Sequence, residues 1–123
     1  PLGLSNAETK GAMRVRRRSG RGDLGGGSFV VAGEDAADDP RNVEIELTTV
    51  DTIIEDKKKV SILQLDIEGH ERPAFLGARE VVETSKPILI SETALPPRWR
   101  KNAFSVPYAD AGRLHENYVY IPG

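Results

Sequence analysis

The sequence predicts a single α/β domain built on an open, mainly parallel sheet, and three stretches carry that prediction. Residues 60–67 form an apolar run that ends on Asp66, Glu68 and Gly69. Residues 71–84 then place Ala74, Phe75, Ala78, Val81 and Val82 on one stripe at helical spacing, with Arg72, Arg79, Glu80 and Glu83 opposite. A second apolar run, residues 86–92, ends on Glu92. Strand, helix, strand is the repeating unit of parallel sheets, which bind ligands at the carboxyl ends of their strands. Both acid-tipped runs end there.

The composition narrows the class. A chain of 123 residues accommodates one small domain, and 38% hydrophobic with 6% aromatic residues makes for a thin core. Seventeen basic against nineteen acidic residues leave a net charge of −2, so no global field draws nucleic acid. Cysteine is absent, so any metal would need oxygen or imidazole ligands. No apolar run reaches the roughly 18–20 residues of a membrane span and no secretory signal is visible, which points to a cytoplasmic setting. The chain opens on Pro1 rather than Met and reads as a fragment.

Taken in order, residues 1–11 read as the tail of one element and a turn. Residues 12–16 alternate Met13 and Val15 with Arg14 and Arg16, the period of a half-exposed strand. Residues 17–27, rich in Arg, Gly and Ser, read as a mobile loop. Gly25-Gly26-Gly27 leads into strand-like Ser28-Phe29-Val30-Val31 rather than a helix, which argues against a phosphate cradle. An acidic loop, 34–41, precedes a one-sided strand over 43–50. Residues 49–55 form a short helix capped by Thr49 or Asp51. The run 60–67 is apolar on both faces, as in a strand covered by helices on both sides. Residues 71–84 form one helix with Pro73 in its first turn, and Leu76 is the misfit on its polar side. Pro87 holds Lys86 extended and starts the next strand. Residues 94–105 read as an irregular loop, 109–114 as a helical turn and 118–121 as a last strand. The expected layout is a core over 43–93, a flexible loop over 17–42 and a C-terminal strand and loop region over 94–123.

Chemistry-bearing residues concentrate at the strand ends. Asp66 and Glu68, two residues apart, can point to one side of the sheet edge. Two close carboxylates drive their proton affinities apart, which suits a general base. They could also hold a divalent cation; the alternative is a capping role. Gly69 serves a tight turn and could let a ligand approach the backbone. Glu92 could complete a three-carboxylate edge, or simply be a surface acid. His70 opens the helix and could act as base or ligand, whereas His115 lies in a weakly patterned region. The arginines at 14, 16, 17, 18 and 21 lack interleaved aromatics and read as a solvated edge.

The run Ile62-Leu63-Gln64-Leu65-Asp66-Ile67-Glu68-Gly69-His70-Glu71, with Phe75-Leu76-Gly77-Ala78-Arg79-Glu80 and Lys86-Pro87-Ile88-Leu89-Ile90-Ser91-Glu92, resembles the FkbM-type methyltransferases. Gly3-Leu4-Ser5-Asn6 and Thr49-Val50-Asp51-Thr52-Ile53 are similar to two further family segments, in the same order. The resemblance implies a Rossmann-like class I sheet, present as its C-terminal half, that binds S-adenosylmethionine and methylates a small-molecule or sugar hydroxyl. It implies Asp66 and Ser5 at the cofactor, Asp66, Glu68 and His70 in catalysis, and Glu68, Gly69 and Glu92 toward the acceptor. It requires no metal, although Asp66 and Glu68 leave one open. Gln64 stands where the family usually has Lys. The glycine-rich loop and the acidic residue that hold the cofactor's methionine and ribose do not occur, so this chain alone is expected to bind cofactor poorly. The rival readings are a non-catalytic remnant or binding module and, further off, a metal-dependent hydrolase. Neither nucleic acid nor membrane is expected as a partner.

Overall fold

Two four-stranded sheets organise the chain in the computed structural model, which describes residues 2–15, 28–31 and 42–123. The first sheet has the order β1 (Leu2–Leu4), β4 (Asn42–Thr48), β2 (Thr9–Val15), β3 (Ser28–Val31). The strand β1 runs parallel to β4, while β2 is antiparallel to both β4 and β3. Alternation in β4 works as its pattern requires: Ile45 and Leu47 are buried, Glu44 and Glu46 exposed. The expected loops at 17–27 and 34–41 lie outside the described residues, and β3 falls between them.

The second sheet has the order β5 (Ile62–Leu65), β6 (Ile88–Ser91), β8 (Asn117–Pro122), β7 (Tyr108–Leu114). Parallel β5 and β6 pair Ile62 with Ile88 through Leu65 with Ser91, and the β7–β8 hairpin closes the far side antiparallel. The crossover between β5 and β6 covers one face. Its residues Ala74, Phe75, Ala78, Val81 and Val82 are fully buried against Leu65, Leu89 and Tyr120, as the helical stripe predicts. No helix of the described residues is long and apolar enough to cross a membrane.

Several elements differ from expectation, each for a local reason. The crossover is two helices, α2 (Glu71–Leu76) and α3 (Arg79–Ser85), broken at Gly77-Ala78. Gly77 lies so close to the first sheet that a Cβ there would sit 2.1 Å from the Ser5 carbonyl oxygen. The short helix α1 (Val50–Ile53) is capped by Thr49, whose Oγ1 accepts from the Thr52 amide at 3.1 Å. Asp51 serves a different helix: its two oxygens accept from the Glu80 and Val81 amides at 3.0 and 2.9 Å, capping α3 from across the fold. Lys86 is left-handed rather than extended, with φ 51°, because it ends α3 by donating its amide to Val82. Residues 97–103 form a helix, α4 (Pro97–Ala103), with proline at its start where no helical donor is lost. The expected helical turn over 109–114 is strand β7, which reaches Leu114 through a bulge near Gly112.

The largest correction concerns the strand expected to be covered on both sides. β5 is four residues long and stands at the sheet edge, with Ile62 57% exposed. Leu63, Leu65, Leu89, Ser91, Tyr118 and Tyr120 share the face under the helices. Ile62, Gln64, Ile88, Ile90, Val119 and Ile121 share the other, which register and alternation assign; four of them are exposed, and Ile90 and Val119 are half-buried. Among the described residues no element covers that second face.

Candidate functional site at the strand ends

The site begins where β5 stops. After Leu65 the chain turns through Asp66, Ile67, Glu68 and Gly69, and the His70 amide closes the turn on the Ile67 carbonyl at 3.3 Å. Glu68 and Gly69 both have positive φ, 53° and 91°. Glycine adopts this at no steric cost, whereas an L side chain there costs about 1–2 kcal/mol. Such a conformation persists only where its surroundings hold it.

The holder is Glu71, which is completely buried. Its Oε1 accepts from the amides of Ile67 at 2.9 Å and Gly69 at 3.4 Å, on either side of Glu68. Its Oε2 accepts from Thr93 Oγ1 at 2.7 Å, just past the end of β6. The neighbouring Arg72 donates to the Ala94 carbonyl from Nε at 3.3 Å and from a terminal nitrogen at 2.9 Å. The start of α2 thus binds both strand-end loops.

Held this way, Asp66, Glu68 and Glu92 each present a carboxylate oxygen within 4.8 Å of the others. Asp66 and Glu68 are exposed and Glu92 is half-exposed. Glu92 Oε2 is itself buried, with no hydrogen-bond partner among the described residues. The hydrogen bond that its protonated form can donate to Asp66, then the Asp66 charge, burial and the charges of Glu68 and Glu71 push the Glu92 carboxyl up to about 7. The cluster can therefore carry a proton near neutrality or accept one. Its donor set is also that of a hard divalent cation.

His70 lies at the other side of the turn. Its Nε2 is 3.0 Å from Ser5 Oγ, which joins residues 65 positions apart. Burial lowers the affinity of the ring for a proton, against a smaller opposing pull from Glu71, so the imidazole is neutral at pH 7. Ser5, 4% exposed, also directs its hydroxyl to Asn6 Oδ1 at 3.3 Å. With its hydroxyl engaged in this way, Ser5 ties the start of the chain to His70. Gly69 is exposed with open space around it, whereas His115 sits far along the chain in the exposed β7–β8 turn with φ 55°. Glu68 does not cap α2, whose N-terminus has no side-chain cap.

Sequence reasoning passed over two residues, Glu71 and Arg100. Glu71 falls on the same stripe as Ala74, Phe75 and Ala78, and an acid on an apolar stripe is the mark of a buried, fully bonded carboxylate. Arg100, 9% exposed on α4, donates to the carbonyls of Leu95 and Tyr108 and lies 4.7 Å over the Tyr120 ring. Nothing in its spacing marks it out from the neighbouring Arg98 and Lys101.

Comparison with known proteins gives one match. A family model for the methyltransferase FkbM domain matches residues 3–116 of the chain. No curated protein and no solved structure matches it.

Proposed function

We propose, from the premise that this chain belongs to the methyltransferase FkbM domain family, that it forms the acceptor-side half of an S-adenosylmethionine-dependent O-methyltransferase. Membership carries the reaction class and, in general, that donor and an acceptor. A small-molecule or sugar hydroxyl as the acceptor is our reading. The observation that carries it is the set of Asp66, Glu68 and Glu92 gathered within 4.8 Å at the carboxyl ends of two hydrogen-bonded parallel strands. That rim is where open parallel sheets bind ligands.

The reading of a half-sheet draws support from the edge of β5 and the face beside it, which among the described residues are unpaired and uncovered. A further strand beside β5, with a helix over Ile62, Ile88 and Ile121, would satisfy both. The residues present fit the donor only in part. Asp66 lies at the rim where a cofactor would bind, Ser5 is turned to His70, and among the described residues no glycine-rich loop contributes.

When bound, the donor supplies an activated methyl on a good leaving group, so the protein's work is alignment and proton removal. Glu68, exposed on the turn, orients the acceptor hydroxyl or takes its proton. Neutral His70, steadied by Ser5, is the second base, and Glu92 and Gly69 border the acceptor. The same carboxylates would hold a divalent cation if one takes part, and would then lower the acceptor's proton affinity through it.

Calorimetric titration with S-adenosylmethionine tests the reading. Residues 1–123 should give little heat, and a version extended by its upstream coding sequence should bind and transfer methyl groups. In that version Glu68→Gln should lower kcat about 100-fold or more while stability stays within about 0.5 kcal/mol. Tight binding by residues 1–123 alone would end the half-domain reading. An extended chain with neither binding nor transfer would leave a non-catalytic remnant.

A further inference from the structure

We infer that Glu71 is the positioning residue of the acidic rim. Its buried carboxylate holds Glu68 in its left-handed turn and ties that turn to the end of β6, which brings Glu68 and Glu92 together. The consequence for catalysis rests on the rim being the transfer site; the positioning itself does not.

The argument starts from cost. Glu68 occupies a backbone region that disfavours every L side chain, and α2 gives it no compensating cap. The only side chain among the described residues that bonds the 67–69 turn is Glu71, through the amides on both sides of Glu68. A carboxylate buried to 0% exposure is costly unless its oxygens are satisfied. Here Oε1 is satisfied by the turn and Oε2 by Thr93 Oγ1. The two oxygens thus face the two loops that carry the rim acids, Glu68 lying between the two bonded amides and Glu92 next to Thr93. One rigid, planar group fixes the distance between two elements that are otherwise joined by a crossover of more than twenty residues. Arg72 reinforces the second loop through Ala94. Asp66 precedes the turn and is carried with it. Removing this group would leave Glu68 free to relax to negative φ, which turns its side chain away from Glu92.

Solution NMR on residues 1–123 tests this without any methyl donor. Amides that donate to a carboxylate resonate downfield, so Ile67 and Gly69 should stand apart in the wild-type spectrum. A through-space cross-peak should join the side-chain methylenes of Glu68 and Glu92. Thr93→Val, nearly isosteric, severs only the β6 side: the two amide shifts should stay, and the cross-peak should fall by at least half. Glu71→Leu should lose both signals, and Glu71→Gln, which can still bond each side, should largely restore them. An undiminished cross-peak in Thr93→Val would overturn the inference, as would ordinary amide shifts in the wild type, and Thr93→Val decides the matter if Glu71→Leu fails to fold. Because no readout involves cofactor or turnover, failure of the methyltransferase reading would leave these signals unchanged.

Discussion

The two faces of the second sheet are made of similar residues and have opposite fates. On one, Leu89 and Tyr120 are sealed under α2, α3 and α4, with Leu65 beside them. On the other, Ile62, Ile88 and Ile121 are 57%, 36% and 43% exposed. Hydrophobicity alone therefore does not tell which face is core. What decides is whether the chain supplies a helix whose apolar stripe can reach it, and the crossover reaches only one side. The covered face also organises polar groups. Tyr120 accepts from the Leu95 amide at 2.8 Å, and Tyr108 donates to the Pro87 carbonyl at 2.7 Å. Burial pushes the Tyr108 hydroxyl up to about 12, so it remains a donor throughout the neutral range. Among the described residues, the other face shows no buried hydroxyl bonded in this way.

Truncation on each face should separate them most sharply. Leu89→Ala opens a cavity in a fully buried position and should cost about 2–5 kcal/mol, read from urea midpoints at unchanged slope. A loss below about 1 kcal/mol would mean that the covered face is not a packed core.

A smaller effect is expected at the rim where the faces meet. Glu92 binds its proton more tightly folded than unfolded, with its carboxyl moved from the usual 4.5 to about 7. The folded state therefore gains stability from that proton below pH 4.5, and loses it as pH rises through about 7. Wild-type protein should lose stability between pH 5 and about pH 8 relative to Glu92→Gln, which has no proton to lose at that position. Partial exposure screens the effect, so it should stay well below the Leu89 cavity. Parallel pH profiles for the two proteins would show that the carboxyls are not coupled.

The smallest effect belongs to the bare face. Ile121→Thr should change stability by no more than about 0.5 kcal/mol, since the residue is already 43% exposed and threonine suits a strand. A loss near that of Leu89→Ala would mean that this face is covered in solution by something beyond the described residues.

Much of this was legible in the residues themselves. Local periodicity marked β4, β6, β8 and the buried stripe of α2 and α3, because alternation and helical spacing are written directly in side-chain order. The acids at 66, 68 and 92 were identifiable as strand-end residues for the same reason. The break at Gly77, the capping of α3 by Asp51 and the pairing of Ser5 with His70 were not, because each joins residues far apart in sequence. The proline-led α4 and the strand β7 were misread where weak local preference yields to packing on Tyr120 and pairing with β8.

The sequence alone determined which residues are apolar, which acids end the strands and which family the chain resembles. Only the tertiary structure decided which apolar face is buried and that Glu71, rather than Glu68, is the interior carboxylate. It also decided that Glu92 shares its space with Asp66. Burial and proton affinity depend on which groups surround a side chain, and neighbours drawn from distant parts of the chain are settled only when it folds.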